Sequence, residues 1–466
     1  MPEPPVTATL AELAATAKPG RPERDQARVL LADYLAVACA GAGAESARVA
    51  RDAVLTGSAG PAPVLGTGQT APVRDAALLN GISAHSLELD DTHEPSSSHP
   101  GTVIWTALLA ATAVQPADAA AVLDSAVAGY QVMASLGELL GPAELYDQGL
   151  HPTGVCGVFG AAAAVSRLSG LDSAATAGAF GIALSMAAGS LAYLSDGAWT
   201  KRFHSGSAAA GGILAADLAA AGFSGPMDAF GDRNGLMHIC GGARPRQRAE
   251  DVLAHAAALP AVGETSIKFH PCCRYMHGVM DLLAAYHLEG RRTAGLTRID
   301  CGVLSGGLRL VADPLAEKRA VTSMVGAQFS MPFGAALALR RGASSLRDFE
   351  AAAELAAELQ PWLDITEVHT SPVLDAAYPA RWGAEVKLMF ADGEVAELST
   401  PAFRGSPGWP AGPRELAGKA ARLIGEGAAG RITAAVAELA DDAPFDPAAL
   451  ASLCEPDNAS HPGSAR

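Results

Sequence analysis

The sequence predicts a mainly α protein: a large all-helical domain followed by a smaller α+β domain. Three observations lead there. The chain has 466 residues, more than one ordinary core holds, so two domains are expected. Apolar residues recur at three-to-four-residue spacing from about residue 8 to residue 260, the period of a helix with one buried face. Near residue 265 the pattern changes to Val-, Ile- and Leu-rich alternation with a hairpin signal.

In the first region the helical segments are 22–41, 103–114, 117–140, 156–168, 172–190, 207–222 and 248–257. Ser169-Gly170-Leu171-Asp172 reads as a helix stop followed by a new N-cap. Gly222-Phe223 and Gly225-Pro226 mark another turn. Beyond residue 265, segment 297–312 alternates as a strand does. Segment 383–400 reads as two strands about Asp392-Gly393, a dipeptide that accepts the positive φ of a tight hairpin. Helices at 274–287, 322–340 and 346–358 lie between, and a last helical stretch, 413–440, packs back on the first domain. The expected division is 1–264 helical, 265–404 α+β, and 405–466 a returning helical segment ending in a polar tail that frays from residue 455.

Hydrophobic residues are 49% and charged residues 18%, the composition of a well-buried globular chain. A net charge of −16 argues against nucleic acid, which needs a basic face. Against that background Lys201, Arg202, Lys268 and Arg274 form a positive inventory suited to a small anion. Seven cysteines, an odd count without paired spacing, argue against a disulfide framework. No charged start precedes an apolar stretch, and the long apolar runs are interrupted by polar groups. The expectation is a cytoplasmic protein with no membrane contact.

The chemistry concentrates in four segments. Residues 80–102 crowd His85, Asp90, Asp91, His93 and His99 together. Charged groups are seldom buried without partners, so this run is expected at the rim of an active site. His151 follows in Gly149-Leu150-His151-Pro152-Thr153-Gly154. Lys201-Arg202-Phe203-His204 comes next. Lys268 through His277 closes the set with Arg274. The glycine pairs do not sit in a strand–loop–helix unit, no His-Glu-x-x-His occurs, and the cysteines are not spaced for a cluster. No metal and no cofactor are therefore expected.

The order and wording of these segments resemble the MmgE/PrpD family, which includes 2-methylcitrate dehydratase, cis-aconitate decarboxylase and iminodisuccinate epimerase. The residues that carry the likeness are Asn80-Gly81 with His85 and Asp90-Asp91, His99-Pro100-Gly101, and Gly149-x-His151-Pro152-Thr153-Gly154. Next come Lys201-Arg202-x-His204-x-Gly206, Gly222-Phe223-x-Gly225-Pro226, Lys268-x-x-Pro271-Cys272 with His277, and Ala327-x-Phe329-Ser330 before Pro332. The likeness covers about residues 8–440. It implies a helical domain with an α+β lid, a cleft between them, a homodimer, and cofactor-free chemistry on small di- or tricarboxylates. Many members carry a tyrosine shortly after the Phe-Ser pair; here Phe333 stands without a hydroxyl.

Eliminating water or carbon dioxide from such an acid needs a proton donor, a base and fixed cations for the carboxylates. With the resemblance, the expected catalytic residues are His99, His151, Asp91, Lys201, Lys268 and His277. The expected substrate contacts are Asp90, His93, Arg202, His204 and Arg274. Adjacent Asp90 and Asp91 point apart, so one orients a histidine or serves as base while the other caps or bridges; the sequence is compatible with either order. Plainer readings exist beside these. His99 could be a surface-loop histidine, Lys201-Arg202 a solvated pair, His277 a packed ring, Arg274 an interdomain ion pair. The expected activity is a hydro-lyase, with decarboxylase or epimerase as alternatives in the same cleft.

Overall fold

The computed structural model describes residues 5–57, 59–241 and 244–454. The tail expected to fray from residue 455 lies outside the described residues.

Helices dominate, as expected. The innermost are Ala119–Leu140, Pro152–Leu168 and Thr200–Ala220. Small residues let their backbones approach closely: a Cβ on Gly129 would stand 3.0 Å from the Gly160 carbonyl oxygen. Ala119–Leu140 is long and apolar enough to cross a membrane, but 83% of that stretch is buried within the fold, the setting of a core helix. Asp172 caps Ser173–Ala183 by accepting from the Ala175 N–H at 2.8 Å, at the stop-and-restart signal of 169–172.

Buried apolar residues form two main clusters. One runs from Val6 to Phe269 and takes in Ile432, Val436, Phe445 and Leu450. The other runs from Cys272 to Phe403 and takes in Tyr146, Leu191 and Tyr193. The second contains a four-stranded sheet in the order Thr366–Thr370, Leu296–Val303, Ala384–Phe390, Val395–Thr400. The first pair is parallel and the other two antiparallel. Gly393 turns the final hairpin with φ +87°. Helices His277–Leu288 and Met331–Arg341 pack against this sheet.

Four features depart from the sequence reading. The first domain is not entirely helical: Ala62–Val64 pairs with Gln69–Ala71, and Thr92–His93 pairs with Thr265–Ser266. Strands of two or three residues are too short to show alternation. Val73–His85 forms a helix that no periodicity announced, because residues 79–85 are buried on every side. Segment 297–312 divides into a strand and the helix Ser305–Val311, and segment 322–340 breaks at Phe329-Ser330, where Ser330 caps Met331–Arg341. Finally, Cys39 and Cys454 form a disulfide, correcting the expectation drawn from the odd count. They lie 415 residues apart, and the returning C-terminal helices bring them together. The other five cysteines are buried and free.

That return is anchored by charge. Pro413–Ile424 packs on Arg21–Gly41. Lys419 Nζ reaches Asp33 Oδ1 at 2.6 Å and donates to the Leu89 carbonyl at 2.8 Å, just ahead of the site segment.

Candidate active site

Two crossing helices build one wall. Val73–His85 and Thr200–Ala220 touch at Gly81 and Gly206, where a Cβ on Gly81 would lie 2.4 Å from Gly206 Cα. Ser205 Oγ donates to the Gly81 carbonyl at 2.8 Å. This crossing sets His85, at the end of one helix, beside Lys201, in the first turn of the other; Lys201 Nζ donates to His85 Nε2 at 3.0 Å. The chain then turns through Glu88 (φ +55°) and Ser97 (φ +49°). Positive φ in such residues costs roughly 1 kcal/mol or more and must be held by surrounding contacts. Both residues line the cavity described below.

A buried network of charges results. Asp90 Oδ2 accepts from His85 Nδ1 at 2.8 Å and lies 3.0 Å from His99 Nδ1. His99 Nδ1 also faces the Asp91 carbonyl oxygen at 2.8 Å. Glu88 is gripped by two ammonium groups: Lys201 Nζ on Oε1, and Lys268 Nζ on Oε2 at 3.2 Å. Lys268 Nζ is 3.9 Å from Asp90 Oδ1, an oxygen with no hydrogen bond. His151 Nδ1 and His204 Nδ1 are 3.2 Å apart. The His85 and His151 rings stack with centroids 5.8 Å apart.

The environment sets the protonation states. Burial pushes Glu88 and Asp90 up, but the lysines around Glu88 and the histidines and Lys268 around Asp90 override it and hold both ionised. Burial pulls Lys268 down, while Glu88 and Asp90 outweigh it and keep the ammonium charged. Lys201 is lowered, chiefly by burial. His99 falls to about 4: burial lowers it, Asp90 opposes, and Lys268 and Lys201 push it further down. His204 also falls to about 4, mainly through burial, and His151 lies well below its usual value for the same reason.

These groups surround a small cavity of about 20 Å³. His99, His151, Lys201 and Glu88 come from the first domain, Arg274, Cys273 and Phe329 from the second. A larger pocket of about 730 Å³ lies outside, and Tyr193 and Phe329 belong to the walls of both. Their rings stand edge to face, 5.9 Å between centroids.

Of the residues expected from sequence, His99, His151, Lys201 and Arg274 line the cavity, and Asp90, Lys268 and His204 contact the groups that do. Others point elsewhere. The Asp91 carboxylate accepts from the Gly101 N–H at 2.8 Å and the Tyr130 hydroxyl at 2.7 Å, so it holds the start of the Gly101–Thr112 helix while Asp90 takes the histidines. His93 Nε2 faces Glu264 at 3.3 Å. Arg202, expected as a substrate contact, donates to Ser46 Oγ at 2.8 Å. His277 accepts from Arg274 at 3.1 Å through Nδ1 and donates to the Cys272 carbonyl at 3.4 Å, behind the wall. Arg274 itself donates to Glu94 at 3.3 Å and lies 3.6 Å over the Phe403 ring.

Nor is segment 80–102 a rim. It is buried almost throughout, with His85 wholly inaccessible, because its charges find partners within the cluster and on Lys201 and Lys268. Phe333 is a core residue 5.5 Å from Phe349, and the phenols near the cavity are Tyr146, Tyr193 and Tyr275. Sequence reasoning missed Glu88. Its signal was present, a glutamate two residues before Asp90 in the same dense run.

His85, His99 and His151 bring ring nitrogens within 4.8 Å of one another, a spacing that could hold a metal ion. Both His85 nitrogens and His99 Nδ1 are already hydrogen-bonded, so an ion there would displace Lys201 or Asp90.

The fold is thus that of a two-domain, mainly helical protein with a buried acid–base cavity at the domain junction. Residues 8–248 match the MmgE/PrpD N-terminal domain and residues 270–441 the MmgE/PrpD C-terminal domain. The chain belongs to the MmgE/PrpD family. It is similar to the cis-aconitate decarboxylase-like protein oryM of Aspergillus oryzae, 32% identical over 45% of each chain. Cis-aconitate decarboxylase of Aspergillus terreus is 27% identical over 59% of this chain and 57% of that protein. The human cis-aconitate decarboxylase is 34% identical over 33% of this chain and 32% of its own length. The match spans about half the length of the fungal relatives and a third of the human one.

Proposed function

We propose that this protein is a lyase of small di- or tricarboxylates and that it decarboxylates a cis-aconitate-like acid. The observation that carries the proposal is the position of Glu88. Its buried carboxylate rests on Lys201 and Lys268 beside the imidazoles of His99 and His151. A cavity that stabilises one carboxylate in this way offers the same cations to the carboxylate of a ligand. The resemblance put dehydration first; the names of the relatives favour decarboxylation, and the same side chains serve both.

In the proposed reaction the bond between a carboxylate and its carbon breaks, and carbon dioxide leaves. The electron pair spreads onto a remaining carboxylate held by Lys201 and Lys268. A proton from His99 or His151 then reaches carbon. His99 is suited to this because its Nδ1 faces two acceptors, Asp90 Oδ2 and the Asp91 carbonyl. Nδ1 therefore carries a hydrogen, and Nε2 is the nitrogen free to exchange one. In the empty cavity His99 is neutral at pH 7, its pKa lowered to about 4 chiefly by burial and further by the two lysines. A bound polyanion offsets the lysines and raises its proton affinity, so the acid is armed by the substrate.

The test is proton NMR of the purified protein in D₂O with cis-aconitate, citrate, 2-methylcitrate and malate. Loss of carbon dioxide from cis-aconitate with a deuterated product is the expected result. Vinyl signals from a hydroxy acid without carbon dioxide would replace it with dehydration. Deuterium exchange without net product would indicate epimerisation, and silence across the panel would overturn the lyase reading.

A further inference from the structure

We infer that His93, Glu138 and Glu264 form a divalent-metal site, suited above all to Zn²⁺, with His255 against Glu264 beside it and all four separate from the acid–base cavity. None of the four lines that cavity. They come from four places in the chain. His93 lies in the short strand Thr92–His93, Glu138 near the end of Ala119–Leu140, His255 near the end of Arg244–Ala256, and Glu264 just before Thr265–Ser266. The strand pairing sets His93 opposite Thr265, and the Glu94 N–H donates to the Glu264 carbonyl at 3.3 Å, so His93 and Glu264 are neighbours by construction.

Three side chains converge. His93, Glu138 and Glu264 present ligand atoms within 4.8 Å of one another. His93 Nε2 is 3.3 Å from Glu264 Oε2, and His255 Nε2 is 3.1 Å from both Glu264 oxygens. Zinc bonds of about 2.0–2.1 Å arranged tetrahedrally separate neighbouring ligand atoms by roughly 3.3 Å. One imidazole and two carboxylates, with a fourth position for water, are a donor set zinc accepts. The supporting contacts also fit. His93 Nδ1 bonds Ser96 Oγ at 2.9 Å, and Ser96 Oγ bonds Ser98 Oγ at 2.7 Å, which fixes the ring and leaves Nε2 for the ion.

Charge points the same way. Two carboxylates converge here beside imidazoles, and a dication would supply balancing charge. The ion would tie segment 92–99, which carries Thr92, Ser97 and His99 of the cavity wall, to two helices of the first domain.

The test uses the full chain stripped with a chelator and titrated with Co²⁺ and Zn²⁺. The expected result is one equivalent of Co²⁺ giving the strong visible bands of a tetrahedral ion, displaced by Zn²⁺, with a rise of several degrees in unfolding midpoint. Glu264→Gln should abolish both signals. His151→Ala should keep them. Absence of saturable binding would overturn the proposal. So would bands that survive Glu264→Gln but vanish in His151→Ala, because the ion would then sit on His85, His99 and His151.

Discussion

At the scale of single residues the site is a set of paired charges, and each pair makes a distinct demand. His99→Asn removes the proton-exchanging nitrogen while leaving a side chain of similar reach. We expect kcat/KM on the best substrate to fall by about 10²–10⁴-fold, the usual worth of a general acid. The thermal unfolding midpoint should stay close to wild type. Asp91 predicts a stability effect instead. Burial raises its pKa to about 7, against partial opposition from Tyr130 and Gly101. In the unfolded chain the group ionises near its ordinary value of 3.8, so between about pH 4 and 7 the folded protein holds the extra proton. Stability from this group is therefore greatest below that window and declines as pH rises through it. Denaturant unfolding of wild type and Asp91→Asn at pH 5 and pH 8 checks the sign: the wild type should lose ground to the variant at the higher pH. The sequence made the inventory of histidines, lysines and aspartates legible, because such groups seldom crowd together without a task. It did not reveal direction. Asp90 and Asp91 are equivalent on paper and separate only when Tyr130 and the Gly101 N–H claim one of them.

At the scale of elements the site depends on how closely two helices cross. Gly206 faces the Leu78 carbonyl so tightly that a Cβ would lie 2.2 Å from that oxygen. Gly206→Ala must push Val73–His85 away from Thr200–Ala220. A loss of about 1–3 kcal/mol is expected, the usual cost of overpacking, visible in urea unfolding. Activity should fall further than stability alone explains, since the same shift separates Lys201 from His85. Periodicity disclosed helices with a recurring polar face such as Arg21–Gly41, and an unbroken apolar run disclosed Gly101–Thr112. It passed over Val73–His85, whose last two turns are buried all round, and it passed over the paired strands 92–93 and 265–266. Those omissions coincide with the walls of the site, where burial is complete and no polar face marks the period.

At the scale of the whole molecule the chain's two ends are joined. The Cys39–Cys454 bridge spans 415 residues. Such a closure limits the unfolded ensemble, and its removal typically costs about 2–4 kcal/mol. Cys454→Ser, or a reductant, should lower the urea midpoint of the wild type by a corresponding amount. A reductant should leave the variant unmoved. Neither the bridge nor the Lys419–Asp33 anchor could be read from spacing, because both are made by segments that meet only after the second domain has been built. The cavity of about 20 Å³ has a consequence at this scale as well. That volume admits about one water molecule and no tricarboxylate. A substrate of that size therefore needs a wider cavity, and Tyr193 and Phe329 are wall residues shared with the larger pocket. The dissociation constant measured for a substrate is then its intrinsic value divided by the fraction of molecules whose cavity is wide enough. Two proteins with identical catalytic groups can differ in apparent affinity through that fraction alone.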